Sequence, residues 1–126
     1  MTLKQSFESA SFFVSLPSGL CELRHGLPCP EEIGRVVGDR PWAIITAFNP
    51  QGYQVSEREN WERHGHLIKE TTSLARLEVY GTGPGWPREY GFLLVGIALE
   101  EACDIGRKFD QAAILYCNQT PEIVFI

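Results

Sequence analysis

Trp42-Ala-Ile-Ile-Thr-Ala-Phe-Asn49-Pro50 decides how the rest of the chain is read. It is an apolar run with β-branched residues at its centre, stopped by Asn-Pro. A half-exposed strand alternates apolar with polar residues, so this run predicts a strand buried on both faces. Pro50 cannot donate to a β-ladder, which ends the strand there.

Outward from it, Phe92-Leu-Leu-Val-Gly-Ile97 is a second continuous apolar run and a second central strand. Leu74 to Tyr80 alternates, which predicts a half-exposed or edge strand, and the topology below makes it an edge. Ser56-Glu-Arg-Glu59 is a capping box opening a helix. Trp61, His64, Leu67, Ile68 and Thr71 share one face of it, and Arg58, Arg63 and Lys69 point elsewhere. Gly65 in its middle suggests a close packing contact. Leu99, Ala102, Cys103, Gly106 and Phe109 define the core face of another helix. Ala112–Cys117 and Glu122–Ile126 form a closing hairpin. Gly81 to Tyr90 is a long glycine- and proline-rich loop. Before Trp42, residues 1–7 are polar and expected to fray. Ser11–Leu16 and Leu20–Arg24 form a hairpin, and a short helix follows Pro30 and stops at Gly38.

From Trp42 the order is strand, helix, strand, strand, helix, strand. This predicts an α+β fold, a two-layer α/β sandwich with a ferredoxin-like βαββαβ core. The expectation is a single domain, 1–126, with residues 1–41 as an N-terminal addition and 42–126 as the core. The N-terminal hairpin and the C-terminal strand extend the sheet or cover its other face.

A net charge of −5 with scattered basic residues argues against a nucleic-acid or anionic-membrane surface. No apolar stretch approaches a membrane span and no signal-peptide pattern is present, so a cytoplasmic location is the default expectation. Cys21, Cys29, Cys103 and Cys117 are expected to be reduced and mostly buried. Cys21, His25 and Cys29 are spaced like helical metal ligands, but Gly26, Pro28 and Pro30 make the segment a turn, so no metal site is expected. Gly81-x-Gly-x-Gly85 joins strands rather than opening a helix, so it is no phosphate loop.

The topology gathers Asn49, Asn60, Trp86, Glu89, Arg107 and Gln111 at one end of the sheet. Each has two readings. Asn49, placed before Pro, is expected to be extended and to tie a loop or contact a ligand. Asn60 anchors a loop or binds. Trp86 is a stacking platform or a core plug. Glu89 is a general base if burial raises its pKa, or it forms an ion pair with Arg107 or a hydrogen bond to a loop amide. Arg107 holds an anion or is solvated, and Gln111 tethers backbone or binds.

Thr46-Ala-Phe-Asn49-Pro50, Asn60, Gly85-Trp86-Pro87-x-Glu89-x-x-Phe92-Leu-x-x-Gly96 and Gly106-Arg-x-Phe-x-Gln111-x-Ala113 together resemble the uncharacterised, mainly bacterial family known as domain of unknown function 3293. The likeness covers about residues 42 to 126. It departs at Gly91, where Ser is usual, and at Asp110, where Gly is usual, so a serine nucleophile at 91 is absent. The resemblance implies a compact α/β domain and marks the same six residues, but names no reaction and no cofactor. Three function classes follow. The first is a domain that binds a small polar ligand or a protein partner at the Asn49/Glu89/Gln111 end. The second is an enzyme with Glu89 as base, and the third is a structural docking domain.

Overall fold

The computed structural model describes residues 2–126. Seven strands, β1 (Ser11–Leu16), β2 (Gly19–Arg24), β3 (Trp42–Thr46), β4 (Ala75–Gly83), β5 (Trp86–Val95), β6 (Ala113–Cys117) and β7 (Pro121–Phe125), alternate with four helices. These are α1 (Leu3–Glu8), α2 (Glu31–Val37), α3 (Glu57–Glu70) and α4 (Leu99–Lys108). The strands form one antiparallel sheet in the order β2-β1-β4-β5-β3-β6-β7. The two continuous apolar runs are neighbours, with Ile44 opposite Leu93 and Thr46 opposite Gly91.

The sheet is curled into a half-barrel. Its two outermost strands are bridged. Gly26 N–H, just past β2, donates to Pro121 O at 2.8 Å, and Ile123 N–H of β7 donates to His25 Nδ1 at 2.8 Å. Gly91 shows why the sheet can bend. A Cβ there would lie 2.2 Å from Ile45 O and 3.0 Å from Thr46 Cα, both backbone atoms of β3. Only glycine lets two strands approach this closely at a barrel corner.

Period-two alternation sends side chains to two cores. The inner face of the curl carries Val14, Leu23, Trp42, Ile44, Leu93 and Leu115, closed at the Trp42 end by Ile33 and Val37 of α2. The outer face carries Ala43, Ile45, Phe92, Leu94 and Ile114 against Leu67 of α3 and Ala102 and Cys103 of α4. His64 stacks on the Phe92 ring at 5.2 Å between centroids, and burial lowers its pKa. All four cysteines are free, three of them buried. Burial pushes Cys21 and Cys117 up to about 11, so these thiols are unreactive. No helix among the described residues is long and apolar enough to cross a membrane.

Several expectations are corrected. The fold is not a two-layer ferredoxin-like sandwich, because the N-terminal hairpin joins β4 and lengthens one sheet that curls into a half-barrel, the segment after β2 reaching β7. The alternating Leu74–Tyr80 segment is therefore interior, between β1 and β5, and not an edge. The supposed Gly81–Tyr90 loop is mostly strand, with a turn only between Gly83 and Trp86. Residues 3–8 form a helix, because Thr2 Oγ1 accepts from Gln5 N–H while Gln5 Oε1 accepts from Thr2 N–H. On the predicted core faces, Leu99 is 43%, Trp61 45% and Ile68 39% exposed.

Gly65 has no close packing contact: nothing lies within 4 Å of a Cβ built there. Gly65→Ala is thus expected to stabilise the protein by about 0.5–1 kcal/mol, because it removes unfolded-state freedom at an open helix position. A urea midpoint that moves up with an unchanged slope is the check. A midpoint that falls would mean a packing role after all.

Candidate functional site

The site starts where β3 ends. Thr46 Oγ1 donates to Tyr90 O at 2.6 Å and accepts from Phe48 N–H at 3.1 Å, which clamps the end of β3 to β5. Asn49 then turns the chain in the left-handed region (φ 49, ψ 71). The extended conformation expected from the following proline is overruled. Asn tolerates this region, and here its side chain is tied on both sides.

Asn49 Oδ1 accepts from Val55 N–H at 3.2 Å and from Asn60 Nδ2 at 3.0 Å. Asn49 N–H donates to Asn60 Oδ1 at 2.8 Å, and Asn49 Nδ2 donates to Glu89 Oε2 at 2.7 Å. Asn60 is placed by the cap of α3, where Ser56 Oγ accepts from Glu59 N–H at 3.1 Å. Gln111 Nε2 donates to Phe48 O at 3.1 Å and to Phe109 O at 3.2 Å. Asn49, Asn60 and Gln111 are all buried. The result is a buried Asn/Gln cluster, with Thr46 beside it, near one end of the sheet, consistent with a small-ligand or partner site.

Glu89 completes the group through a β-bulge. Gly81 pairs with Glu89 and Gly83 with Trp86, so the two strands run out of step between these pairs. The extra residue in β5 reverses the alternation. Trp86 thereby comes round to Glu89, and its Nε1–H donates to Glu89 Oε2 at 2.7 Å. Trp86 is thus a donor to the acid as well as packing. Oε2 has two donors, whereas Oε1 has no hydrogen bond among the described residues. Burial raises the Glu89 pKa, partly offset by the donors Asn49 and Trp86.

Five of the six candidates are brought together. Arg107 is not. It is exposed on α4 and pairs with Asp104 at 3.0 Å, so it neither neutralises Glu89 nor enters the site. A helix turn placed it correctly along the axis, but on the solvent side.

Inside the half-barrel, beside Glu89, lies a cavity of about 160 Å³. Ile44, Val79, Leu115 and Ile123 form its apolar wall, Asn49, Glu89 and Gln111 its polar end, and Leu3 and Phe7 of α1 its cover. The sequence reading missed this cover and missed Arg63. Arg63 Nε donates to Ala47 O at 2.6 Å, and its Nη2 donates to Phe109 O, fastening α3 to the ends of β3 and α4. The Thr2-x-x-Gln5 box was the available signal for α1. Arg63 gives none, because a long side chain reaches back round its helix. Asp110, where the family resemblance expects Gly, has φ 54, a left-handed position that glycine occupies without strain.

The raised Glu89 pKa has a testable sign. A carboxyl that holds its proton more tightly when folded contributes best below its unfolded value of 4.5. That contribution is lost as pH rises through the raised folded value. Glu89→Gln keeps an acceptor for Asn49 and Trp86 but does not titrate. Denaturation from about pH 4 to about pH 7 is therefore expected to show wild type losing stability relative to the variant. A difference that is constant, or that moves the other way, would refute the burial of this acid.

No curated protein and no solved structure matches the chain. Residues 45–114 match the family model described as "Protein of unknown function (DUF3293)", a span that takes in all six candidate residues, and the chain belongs to that family.

Proposed function

We propose that this protein binds a small molecule in the cavity of the half-barrel, with Glu89 as the group that orients it. The observation that carries this is one carboxylate oxygen without a hydrogen bond among the described residues, at the polar end of a covered cavity with largely apolar walls. Sites of this kind combine apolar walls with a few fixed polar groups. Asn49, Asn60, Trp86 and Gln111 hold the acid and the loop around it, so the polar end is preorganised. The test is a thermal-shift screen of small metabolites on wild type and on Ser6→Trp, which places a bulky ring at the cover from an exposed position. Ligands that stabilise wild type and fail on Ser6→Trp support the reading. Stabilisation that Ser6→Trp leaves unchanged contradicts it.

A second reading makes Glu89 a general base. It is favoured by the burial that raises its proton affinity and by the absence of an ion-pair partner among the described residues. A bound ligand with an acidic C–H would then exchange it for deuterium in wild type and not in Glu89→Gln. Equal exchange in both would dismiss catalysis by Glu89.

A further inference from the structure

Among the described residues, the open side-chain valences of the cavity are two acceptors and two neutral donors, the second Asn49 Nδ2 proton and the Ser6 hydroxyl. Glu89 Oε1 has no hydrogen bond among the described residues. Both protons of Gln111 Nε2 are committed to Phe48 O and Phe109 O, which leaves Gln111 Oε1 as a second open acceptor. The Thr46 hydroxyl already donates and accepts, so it offers a ligand little. Among the described residues no Lys, Arg or His lines the cavity, and Arg107 pairs with Asp104 on the solvent side of α4. An ionised Glu89 thus lacks a counter-charge among the described residues. A partly buried anion without one is costly, and a ligand that supplies it is favoured over one that does not.

Size narrows the class. An apolar cavity of about 150 Å³ in another protein holds benzene, and this one measures about 160 Å³. Resting on the small-molecule reading above, we infer that the cavity takes a small primary amine. Its ammonium donates to Glu89 Oε1 and Gln111 Oε1, and an apolar body of about six or seven carbons lies against Ile44, Val79, Leu115 and Ile123. While Glu89 is ionised, carboxylates and phosphates are disfavoured, because a second anion would face it with no cation among the described lining residues.

Calorimetric titration of benzylamine, benzyl alcohol and benzoate into the full-length chain tests this at neutral pH. Benzylamine is expected to bind, benzyl alcohol to bind more weakly and benzoate not to bind. Glu89→Gln is expected to weaken benzylamine roughly 10- to 100-fold while changing benzyl alcohol little. Its circular dichroism and unfolding midpoint report whether the fold is kept. Ser6→Trp is expected to weaken both ligands and provides a second test should Glu89→Gln fold poorly. If benzyl alcohol binds as tightly as benzylamine, and Ser6→Trp weakens both, the amine inference falls while the cavity reading stands. If none of the three binds, or Ser6→Trp changes nothing, both fall.

Discussion

Gly91→Ala is expected to be among the most damaging single substitutions in this chain, although it adds one methyl group. The new Cβ would sit 2.2 Å from Ile45 O, far inside van der Waals contact. The obstacle is backbone of a central strand, not the flexible tip of a side chain. Relief requires β3 and β5 to separate where Thr46 and Gly91 pair, which also strains the Thr46–Tyr90 bond that ends β3. Overpacking a tight core costs about 1–3 kcal/mol and occasionally more; with backbone as the obstacle, the upper part of that range is expected. Urea unfolding is the measurement. Gly106→Ala is the internal comparison. Its Cβ would meet Ile126 Cδ1 at 2.6 Å and Ile114 Cγ2 at 2.9 Å, both side-chain atoms that can move. The loss should therefore be smaller at 106 than at 91. The reverse order would mean that Gly91 is not the corner of the curl. The Ser that the family resemblance places at 91 carries the same Cβ, so a chain with Ser there needs wider strand spacing than this one.

Asn49→Ala is expected to cost about 2–5 kcal/mol, for two separable reasons. Its side chain makes bonds to Glu89, Val55 and Asn60, and truncation leaves buried polar groups without partners. Its backbone lies at φ 49, which an L-residue such as Ala occupies at a cost of about 1–2 kcal/mol. Asn49→Gly removes the side chain but relieves the backbone. It is expected to lie between wild type and Asn49→Ala, closer to the latter. Equal stability of Asn49→Gly and wild type would show that the amide network contributes nothing. Because Asn49 Nδ2 is one of the two donors that stabilise ionised Glu89, both variants should also move the Glu89 titration further upward.

Particular residues show what was legible in the chain. The apolar runs at Trp42–Phe48 and Phe92–Ile97 identified two adjacent central strands, because continuous hydrophobicity reports burial on both faces. The polar cluster was legible for a related reason. Asn49 ends a strand, Asn60 sits one turn past a readable helix cap, and Gln111 follows the end of α4, so element order alone set their common end. The curl was not legible. It depends on how near Ile45 O comes to Gly91, a property of two segments far apart in sequence, and a glycine just before an apolar run looks like any small residue. The Leu74–Tyr80 segment was misassigned as an edge because alternation reports one exposed face, not a missing neighbour. Its outer side chains are half-covered, with Tyr80 between Phe13 and Tyr90. Trp86 and Glu89 lie three apart, which places them on opposite faces of a regular strand. Only the bulge brings them together. Arg107 failed for the opposite reason, since helix position fixes height but not whether a side chain turns to solvent.

The most direct test of the central claim, that the open oxygen of Glu89 faces a ligand cavity, is the Trp86 indole proton in a ¹H–¹⁵N spectrum. The chain has three tryptophans, and Trp86→Phe assigns the signal. Trp86 Nε1–H donates to the same carboxylate that would receive the ligand. Titration with benzylamine should shift this signal to saturation, leave exposed Trp61 in place, and produce no shift at Trp86 with benzoate. A Trp86 signal that stays fixed while benzylamine binds, or that moves equally with benzoate, would place binding elsewhere and contradict the claim.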